Sequence, residues 1–282
     1  MSSRFAFKNL SAGELKKYIE TKKEGDYLII DVRQPWEYED GHIAGARLMP
    51  LMDLESNIFD LPPDQDIVFY CRSGSRSRAA ATLAGELELS SKNLYSLEGG
   101  ILAWQDRVVP DMPKIQLLDK SRPLTELLFT SMDLEKGAYR FYRHILRKFS
   151  SESFSEAIQH LANAETAHAR VIYNILAQAG KEMQPFEELF ASLDGEILEG
   201  GATLAEVLNT LEAVAEDQCL RLLEMALDIE YSAFDLYRTV AEEVDNRETR
   251  AAFLKIAQAE KEHMRSIARA LAECPQPNPN AL

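Results

Sequence analysis

Cysteine, tryptophan and long apolar runs are all scarce in this chain of 282 residues, which has three cysteines and two tryptophans. Because no two cysteines form a C-x-x-C pair, the sequence excludes a zinc ribbon or a rubredoxin-type iron–sulfur module, and three cysteines are too few for a disulfide framework. No uncharged apolar run approaches the ~20 residues that cross a bilayer, and the first residues lack a signal-peptide core. These absences predict a protein of the reducing cytoplasm.

Positive charge is in deficit as well, because 31 lysines and arginines face 46 aspartates and glutamates, for a net charge of −15. A net negative charge of this size repels phosphate backbones and anionic lipid, so nucleic acid and membranes are not expected as partners. Residues 1–115 carry −4 of this charge and the remainder carries −11. The excess of acidic residues in the second part is typical of solvated helix surfaces. Buried carboxylates that hold cations would produce the same excess.

The chain changes character near residue 115. Before that point, strand-like apolar runs alternate with helical stretches, which predicts an α/β domain over residues 1–115 with a parallel sheet covered on both faces. The predicted strands are 27–30, 67–70 and 94–97, and the predicted helices are 11–21 and 75–89.

Beyond the prolines at 110, 113 and 123 the strand signals vanish. The sequence predicts a linker at 116–123, an all-α four-helix bundle over 124–273 and a flexible tail at 274–282. The predicted helices are 124–149, 153–179, 212–245 and 247–273, with a long connection at 180–210. Cys219 is expected to pack in the core of the third of these helices, and a role as a redox partner is the alternative.

Cys71 lies directly after a predicted strand and before the small-residue loop 72–77, which leads into a helix. Such a loop gathers backbone N–H groups and a helix dipole around one point, and nearby arginines favour the thiolate further. The pattern indicates a nucleophilic thiol. The alternative is a buried structural cysteine, although two arginines and a glycine suit an apolar core poorly.

Over residues 5–110 the chain resembles the rhodanese sulfurtransferases. The resemblance rests on the loop, which matches C-R-x-G-x-R-S, and on three further motifs: Ile30-Asp31-Val32-Arg33 with Trp36-Glu37-Tyr38, Gly41-His42-Ile43-Ala44-Gly45-Ala46, and Leu97-Glu98-Gly99-Gly100-Ile101-Leu102-Ala103-Trp104.

This resemblance implies that Cys71 carries sulfane sulfur as a persulfide, from an anion such as thiosulfate or polysulfide to a thiol acceptor. It implies that Arg72 and Arg76 orient the donor and that Asp31 and Arg33 brace the loop. The remaining loop residues would bind the anion: Ser73, Gly74, Ser75 and Ser77. Similar loops in phosphatases and arsenate reductases are one residue longer, so the six residues from Cys71 to Arg76 favour sulfur over those activities.

The second part contains an internal repeat with an offset of 95 residues. Each copy has a glutamate in its first helix and, 30 residues later, an E-x-x-H motif whose two side chains share one helix face. The repeated residues are Glu135, Glu165 and His168 in the first copy and Glu230, Glu260 and His263 in the second. One such motif alone is typical of a solvated helix, but the paired set among small and apolar residues predicts a site for two metal ions. Tyr142 and Tyr237 are expected either to donate hydrogen bonds to these carboxylates or to pack as core aromatics.

This region resembles the rubrerythrin branch of the ferritin-like superfamily over residues 124–272, and by position the same six residues match that family's di-iron ligands. The resemblance implies two iron ions, with manganese as an alternative, and a reaction with peroxide or oxygen. Two departures stand out. Ala233 replaces a further glutamate of the family, and the absence of a rubredoxin module implies an external electron donor. The resemblance also implies a homodimer.

Two hypotheses follow. The first is a two-module redox enzyme in which a rhodanese-type sulfurtransferase is coupled to a di-iron carboxylate centre. The second is a non-catalytic sensor of iron or oxidant, or a persulfide carrier, that docks a partner protein.

Overall fold

A computed structural model of the chain describes residues 7–87, 89, 91–117, 123–149, 154–178, 183–212 and 218–274. It divides into two compact units, Met1–Met112 and Pro113–Leu282. The predicted linker and tail fall largely outside the described residues. Within the described part of the chain, the helices include none that is both long and apolar enough to cross a membrane.

The first unit holds a sheet of five parallel strands in the order β1-β5-β4-β2-β3. The strands are β1 Lys8–Leu10, β2 Tyr27–Asp31, β3 Arg47–Leu48, β4 Asp66–Tyr70 and β5 Leu94–Leu97. The central strands β2 and β4 are buried along their whole length, so both of their faces are apolar. The two edge strands β1 and β3 were not predicted, because they are short and partly exposed and therefore carry no continuous apolar run.

Helices cover both faces of this sheet, and the predicted parallel α/β fold is confirmed. They are α1 Ala12–Thr21, α2 Pro35–Asp40, α3 Leu51–Asn57 and α4 Ser75–Glu86. Alternate residues of β4 enter separate cores, with Phe69 in one and Val68 and Tyr70 in the other. A capping box between Ser11 and Glu14 fixes the start of α1.

The second unit is helical, as predicted. Its helices are α5 Leu124–Lys148, α6 Ser155–Gln178, α7 Phe186–Ser192, α8 Leu204–Glu212, α9 Gln218–Glu243 and α10 Arg247–Glu273. The long helices pair as two hairpins, α5 with α6 and α9 with α10, and α10 also packs on α6. The predicted connection at 180–210 holds the short helix α7 and most of α8, which ends at Glu212, where the third long helix was predicted to begin.

A disulfide joins Cys219 at the start of α9 to Cys274 just after α10. Cys219 packs against the apolar core of the bundle, as expected, but its disulfide with Cys274 was not predicted. The hairpin brings together two residues that are 55 positions apart in sequence, with Cα atoms 5.7 Å apart. The argument for a reducing compartment from cysteine usage loses its support, because disulfides persist mainly in oxidising environments.

Candidate active site and metal centre

Cys71 follows the buried strand β4 directly, and the loop after it turns into α4. The residue is fully buried. The backbone N–H of Gly74 donates a hydrogen bond to Cys71 Sγ at 3.1 Å, and Ser77 Oγ lies 3.7 Å from the same sulfur. The loop thus places an amide, a hydroxyl and the amino terminus of α4 around one thiol.

These groups decide the charge of the thiol. Burial raises the pKa of Cys71, but the amides of Ser77, Gly74 and Ser73 and the Ser77 hydroxyl outweigh it, so the pKa is lowered overall. A lowered pKa increases the thiolate fraction at neutral pH, and the thiolate is the nucleophilic form.

Two glycines allow the backbone of the Cys71 loop to approach the backbone of residues 99–102 closely. Gly74 has a φ of +93°, and Gly100 has a φ of +62°. A methyl group on Gly100 would lie only 2.3 Å from the carbonyl oxygen of Cys71. The residues after Gly100 bind the loop backbone, because Ile101 N donates to Cys71 O at 2.8 Å and Leu102 N donates to Arg72 O at 3.1 Å.

We expect Gly100→Ala to displace this support, because the added methyl meets backbone atoms and the positive φ disfavours alanine. Thermal unfolding should show a loss of roughly 2 kcal/mol or more in stability, with a lower rate of sulfur transfer. Gly13→Ala is the matched control, because a methyl there has open space around it. Equal Tm values for Gly100→Ala and wild type would contradict this reading of the loop.

Arg76 is held by a partner that the sequence did not reveal. Its Nη1 and Nη2 atoms each donate to a carboxylate oxygen of Glu37 at 2.7 Å. The Arg76 guanidinium lowers the pKa of Glu37 to about 2, so this pair stays charged. Arg72, Ser73 and Ser75 are exposed around the thiol.

Asp31 and Arg33 are buried together at the end of β2. Arg33 Nη2 donates to Asp31 Oδ2 and to the carbonyl oxygen of Gly41, both at 2.7 Å, and Arg33 Nε donates to both Asp31 oxygens. The Arg33 guanidinium also lies over the Tyr70 ring. The pair ties the end of β2 to the turn at Gly41.

In the second unit, the structure brings together the six residues of the repeat. Glu135 comes from α5, Glu165 and His168 from α6, Glu230 from α9, and Glu260 and His263 from α10. All six side chains are buried. Their ligand atoms form overlapping groups within 4.8 Å, one of Glu135, Glu165, His168 and Glu260 and another of Glu165, Glu230 and His263.

The internal distances show the same two-fold pattern as the sequence repeat. His168 Nδ1 lies 3.2 Å from Glu135 Oε2 and 2.9 Å from Glu260 Oε1. His263 Nδ1 lies 3.0 Å from both Glu230 Oε2 and Glu260 Oε2. Each histidine therefore has its own terminal glutamate, while Glu165 and Glu260 lie between the two halves, where one carboxylate can serve two ions.

The donor set fits two divalent metal ions. Burial and the Glu260 charge raise the pKa of Glu230 to about 8, and burial with the surrounding carboxylates raises the pKa of Glu165 well above its usual value. Against the effect of burial, the glutamates raise the pKa of His263 to about 10. Glu260 is buried between the two histidines, with one carboxylate oxygen close to each of them. Such crowding is costly without cations and favourable around them.

Tyr142 and Tyr237 contact these carboxylates across the two halves. Tyr142 Oη donates to Glu230 Oε1 at 2.5 Å, and Tyr237 Oη donates to Glu135 Oε1. The sequence left hydrogen bonding and aromatic packing open, and the structure has both, because the Tyr142 ring contacts Phe141 and the Tyr237 ring stacks on Phe253. Each tyrosine thus leaves the other oxygen of its glutamate facing a histidine.

Sequence reasoning missed one buried acid at this centre, Glu199. It lies in the connection between α7 and α8 and is 1% exposed. Burial and the charge of Glu135 raise the pKa of Glu199 well above its usual value. The one signal in the sequence is its position before Gly200 and Gly201, within a segment that has no helical periodicity.

Two family models match the chain. The rhodanese-like domain matches residues 11–107, and rubrerythrin matches residues 126–207 and 221–279, which is half of the chain.

Relatives are similar to this chain over about a third of its length. The probable adenylyltransferase/sulfurtransferase MoeZ of Mycobacterium tuberculosis is 36% identical over 101 residues, covering 35% of this chain and 25% of that protein. A sulfurtransferase of Allochromatium vinosum is 34% identical over 85 residues, covering 30% of this chain and 78% of that protein. The crystal structure of a rhodanese-related protein from Thermoplasma volcanium is 30% identical, with a TM-score of 0.33, and the match covers 36% of this chain and 98% of that chain. The chain thus spans about a quarter of the length of MoeZ.

Proposed function

Because the chain belongs to the rubrerythrin family and also carries a rhodanese-like domain, we propose that it is a two-module enzyme of sulfur and oxidant chemistry. Residues 1–115 would transfer sulfane sulfur through Cys71, and residues 124–273 would hold a di-iron centre that reacts with peroxide or oxygen. The observation that carries the proposal is the six-residue carboxylate and histidine cluster, present in the same chain as a loop-held thiol of lowered pKa.

In the sulfur-transfer module, the Cys71 thiolate attacks the outer sulfur of a donor such as thiosulfate. The sulfur–sulfur bond of the donor breaks, sulfite leaves with the bonding pair, and Cys71 carries a persulfide. A thiophilic acceptor such as cyanide or a thiolate then takes the outer sulfur and returns the Cys71 thiolate. The Gly74 amide that donates to Sγ would stabilise the negative charge of both forms.

The two loop arginines would play different roles. Arg72 is exposed beside the thiol and would attract the anionic donor. Arg76 already donates two hydrogen bonds to Glu37, so its role would be to hold the loop against α2. Asp31 and Arg33 would brace the opposite side through Gly41.

In the second module, Glu135 and His168 would hold one metal ion, Glu230 and His263 the other, and Glu165 and Glu260 would serve both. When bound, such a metal pair supplies Lewis acidity and stores electrons. Tyr142 and Tyr237 would hold the terminal glutamates in place through their hydrogen bonds. Electrons would come from an external donor.

Metal binding should release protons at pH 7. Glu230, with a pKa of about 8, and His263, with a pKa of about 10, are protonated at that pH in the metal-free protein, and both must lose a proton to bind metal. Affinity should therefore rise from pH 6 to pH 9. Calorimetric titration with Mn²⁺ in buffers of different ionisation enthalpy measures this release. A titration heat independent of the buffer would contradict the assignment.

Coupling between the modules is tested by peroxide consumption with and without thiosulfate. If the persulfide on Cys71 supplies electrons to the metal centre, thiosulfate should raise peroxide consumption in wild type. It should leave peroxide consumption unchanged in Cys71→Ser. The same increase in both proteins would show that the modules act independently.

A further inference from the structure

Glu199 is a buried carboxylate close to Glu135, Glu230 and Glu260 that the repeat does not explain. It lies in a tight turn of residues 194–203, which we call the 194–203 turn. In this turn Leu198 N donates to Ala202 O at 3.0 Å, and Gly201 N donates to Leu198 O at 2.8 Å. Ile197 and Thr203 form an antiparallel bridge across it. The neighbouring Glu196 and Ile197 are exposed, but Glu199 is not.

The turn is fastened to α5. Asp133 Oδ1 accepts a hydrogen bond from Gly195 N at 2.9 Å, and Arg140 Nη1 donates to the carbonyl oxygens of Asp194 and Gly195. The backbone of the turn approaches so closely that a methyl on Gly137 would lie 2.3 Å from Ile197 O. This fixes the turn along the helix that carries Glu135.

The turn also touches α9. A methyl on Gly200 would lie 3.1 Å from Ser232 Oγ. Gly137 and Ser232 are equivalent positions in the internal repeat, each two residues after a metal-site glutamate. Two residues advance a helix by about 3 Å, so the turn meets both helices close to Glu135 and Glu230 along their axes. Glu199 therefore enters the bundle between the two repeats.

Small residues occupy the equivalent positions of α5 and α9 three residues after Glu135 and Glu230. Ala138 and Ala233 are likewise equivalent in the repeat, and both are buried with only a methyl group each. Glu199 Oε2 is buried without a hydrogen-bond partner among the described residues. A buried carboxylate oxygen with no donor is costly unless a cation binds it. A protonated carboxyl group would instead be expected to donate to a neighbour.

We propose that Glu199 is a seventh ligand of the metal centre, a carboxylate that the 194–203 turn supplies between α5 and α9. This inference rests on the proposed function of the bundle as a metal site. The proposal places a ligand in a connecting turn. The family that this region resembles has a further glutamate on its third long helix, at the position where this chain has Ala233.

The test is metal binding by the full chain with Glu199→Gln, a variant of the same shape that lacks the charge. Anaerobic competition with a chelator should show Fe²⁺ binding weaker by about tenfold or more than wild type. The visible absorption of the Co²⁺-loaded protein should also change, because it reports coordination number. Glu188→Gln, on α7 with an exposed side chain, should match wild type in both measurements.

The outcomes separate the two proposals. Wild-type affinity and an unchanged Co²⁺ spectrum in Glu199→Gln would overturn the role of Glu199 while leaving the metal centre intact. Failure of wild type itself to bind two ions would overturn the metal centre. If Glu199→Gln unfolds, Glu199→Asp keeps the charge on a shorter side chain. It should fold and bind Fe²⁺ more weakly than wild type, and wild-type affinity in it would count against the proposal.

Discussion

Replacement of Cys71 by serine should lower thiocyanate formation from thiosulfate and cyanide by at least roughly a thousandfold, because the covalent sulfur carrier is lost. Serine keeps the size of the side chain and forms no persulfide. The Sγ atom is the acceptor of the Gly74 amide, so the amide should remain in place and find the hydroxyl instead. Steady-state assay of the colorimetric thiocyanate product measures the loss.

The control for this variant is the double substitution of Cys219 and Cys274 by serine. Those cysteines pair with each other in the second unit, so their loss should leave sulfur transfer unchanged. Equal thiocyanate formation by Cys71→Ser and wild type would exclude Cys71 as the nucleophile. An equal loss in both variants would show that general damage to the fold, not the thiol, sets the rate.

The second large effect concerns the two glutamates that lie between the halves of the metal cluster. Glu165 and Glu260 each belong to the ligand groups of both histidines. The double variant Glu165→Ala with Glu260→Ala should therefore fall from two metals per chain to none, as measured by elemental mass spectrometry. Removal of Glu135 alone should spare one metal, because Glu135 groups with His168 only.

Glu262→Ala is the matched control for these variants. Glu262 lies on the same helix as Glu260 but is exposed, where it pairs with Arg265. It should keep both metals. Retention of two metals by the double variant, with Glu262→Ala unchanged, would show that the ions bind elsewhere.

The parts of this molecule that could be predicted from sequence are those in which local spacing sets the geometry. The face shared by Glu260 and His263 follows from the helical repeat, and the duplication at an offset of 95 residues identified the opposing set. The loop around Cys71 is equally local, since the strand, the glycine and the start of α4 are consecutive. The fully buried strands β2 and β4 could be predicted because each contains a continuous apolar run.

The features that were missed depend on contacts between distant residues. Glu37 and Arg76 are 39 residues apart, and neither position marks the other as its partner. The Cys219–Cys274 disulfide forms because α9 and α10 return to the same end of a hairpin. The burial of Glu199 depends on the close approach of its turn to Gly137 and Ser232, which no periodicity in the turn itself foretells.

The most direct test of the central claim is the metal content of the wild-type chain purified without oxygen, followed by its absorption spectrum on addition of peroxide. The account predicts about two iron ions per chain, a spectrum that changes when peroxide is added, and continued peroxide consumption when a reductant is supplied. Fewer than one metal ion per chain would contradict the metal centre. Two ions with an unchanged spectrum and no peroxide consumption would contradict the proposed reaction and leave a protein that only binds or senses iron.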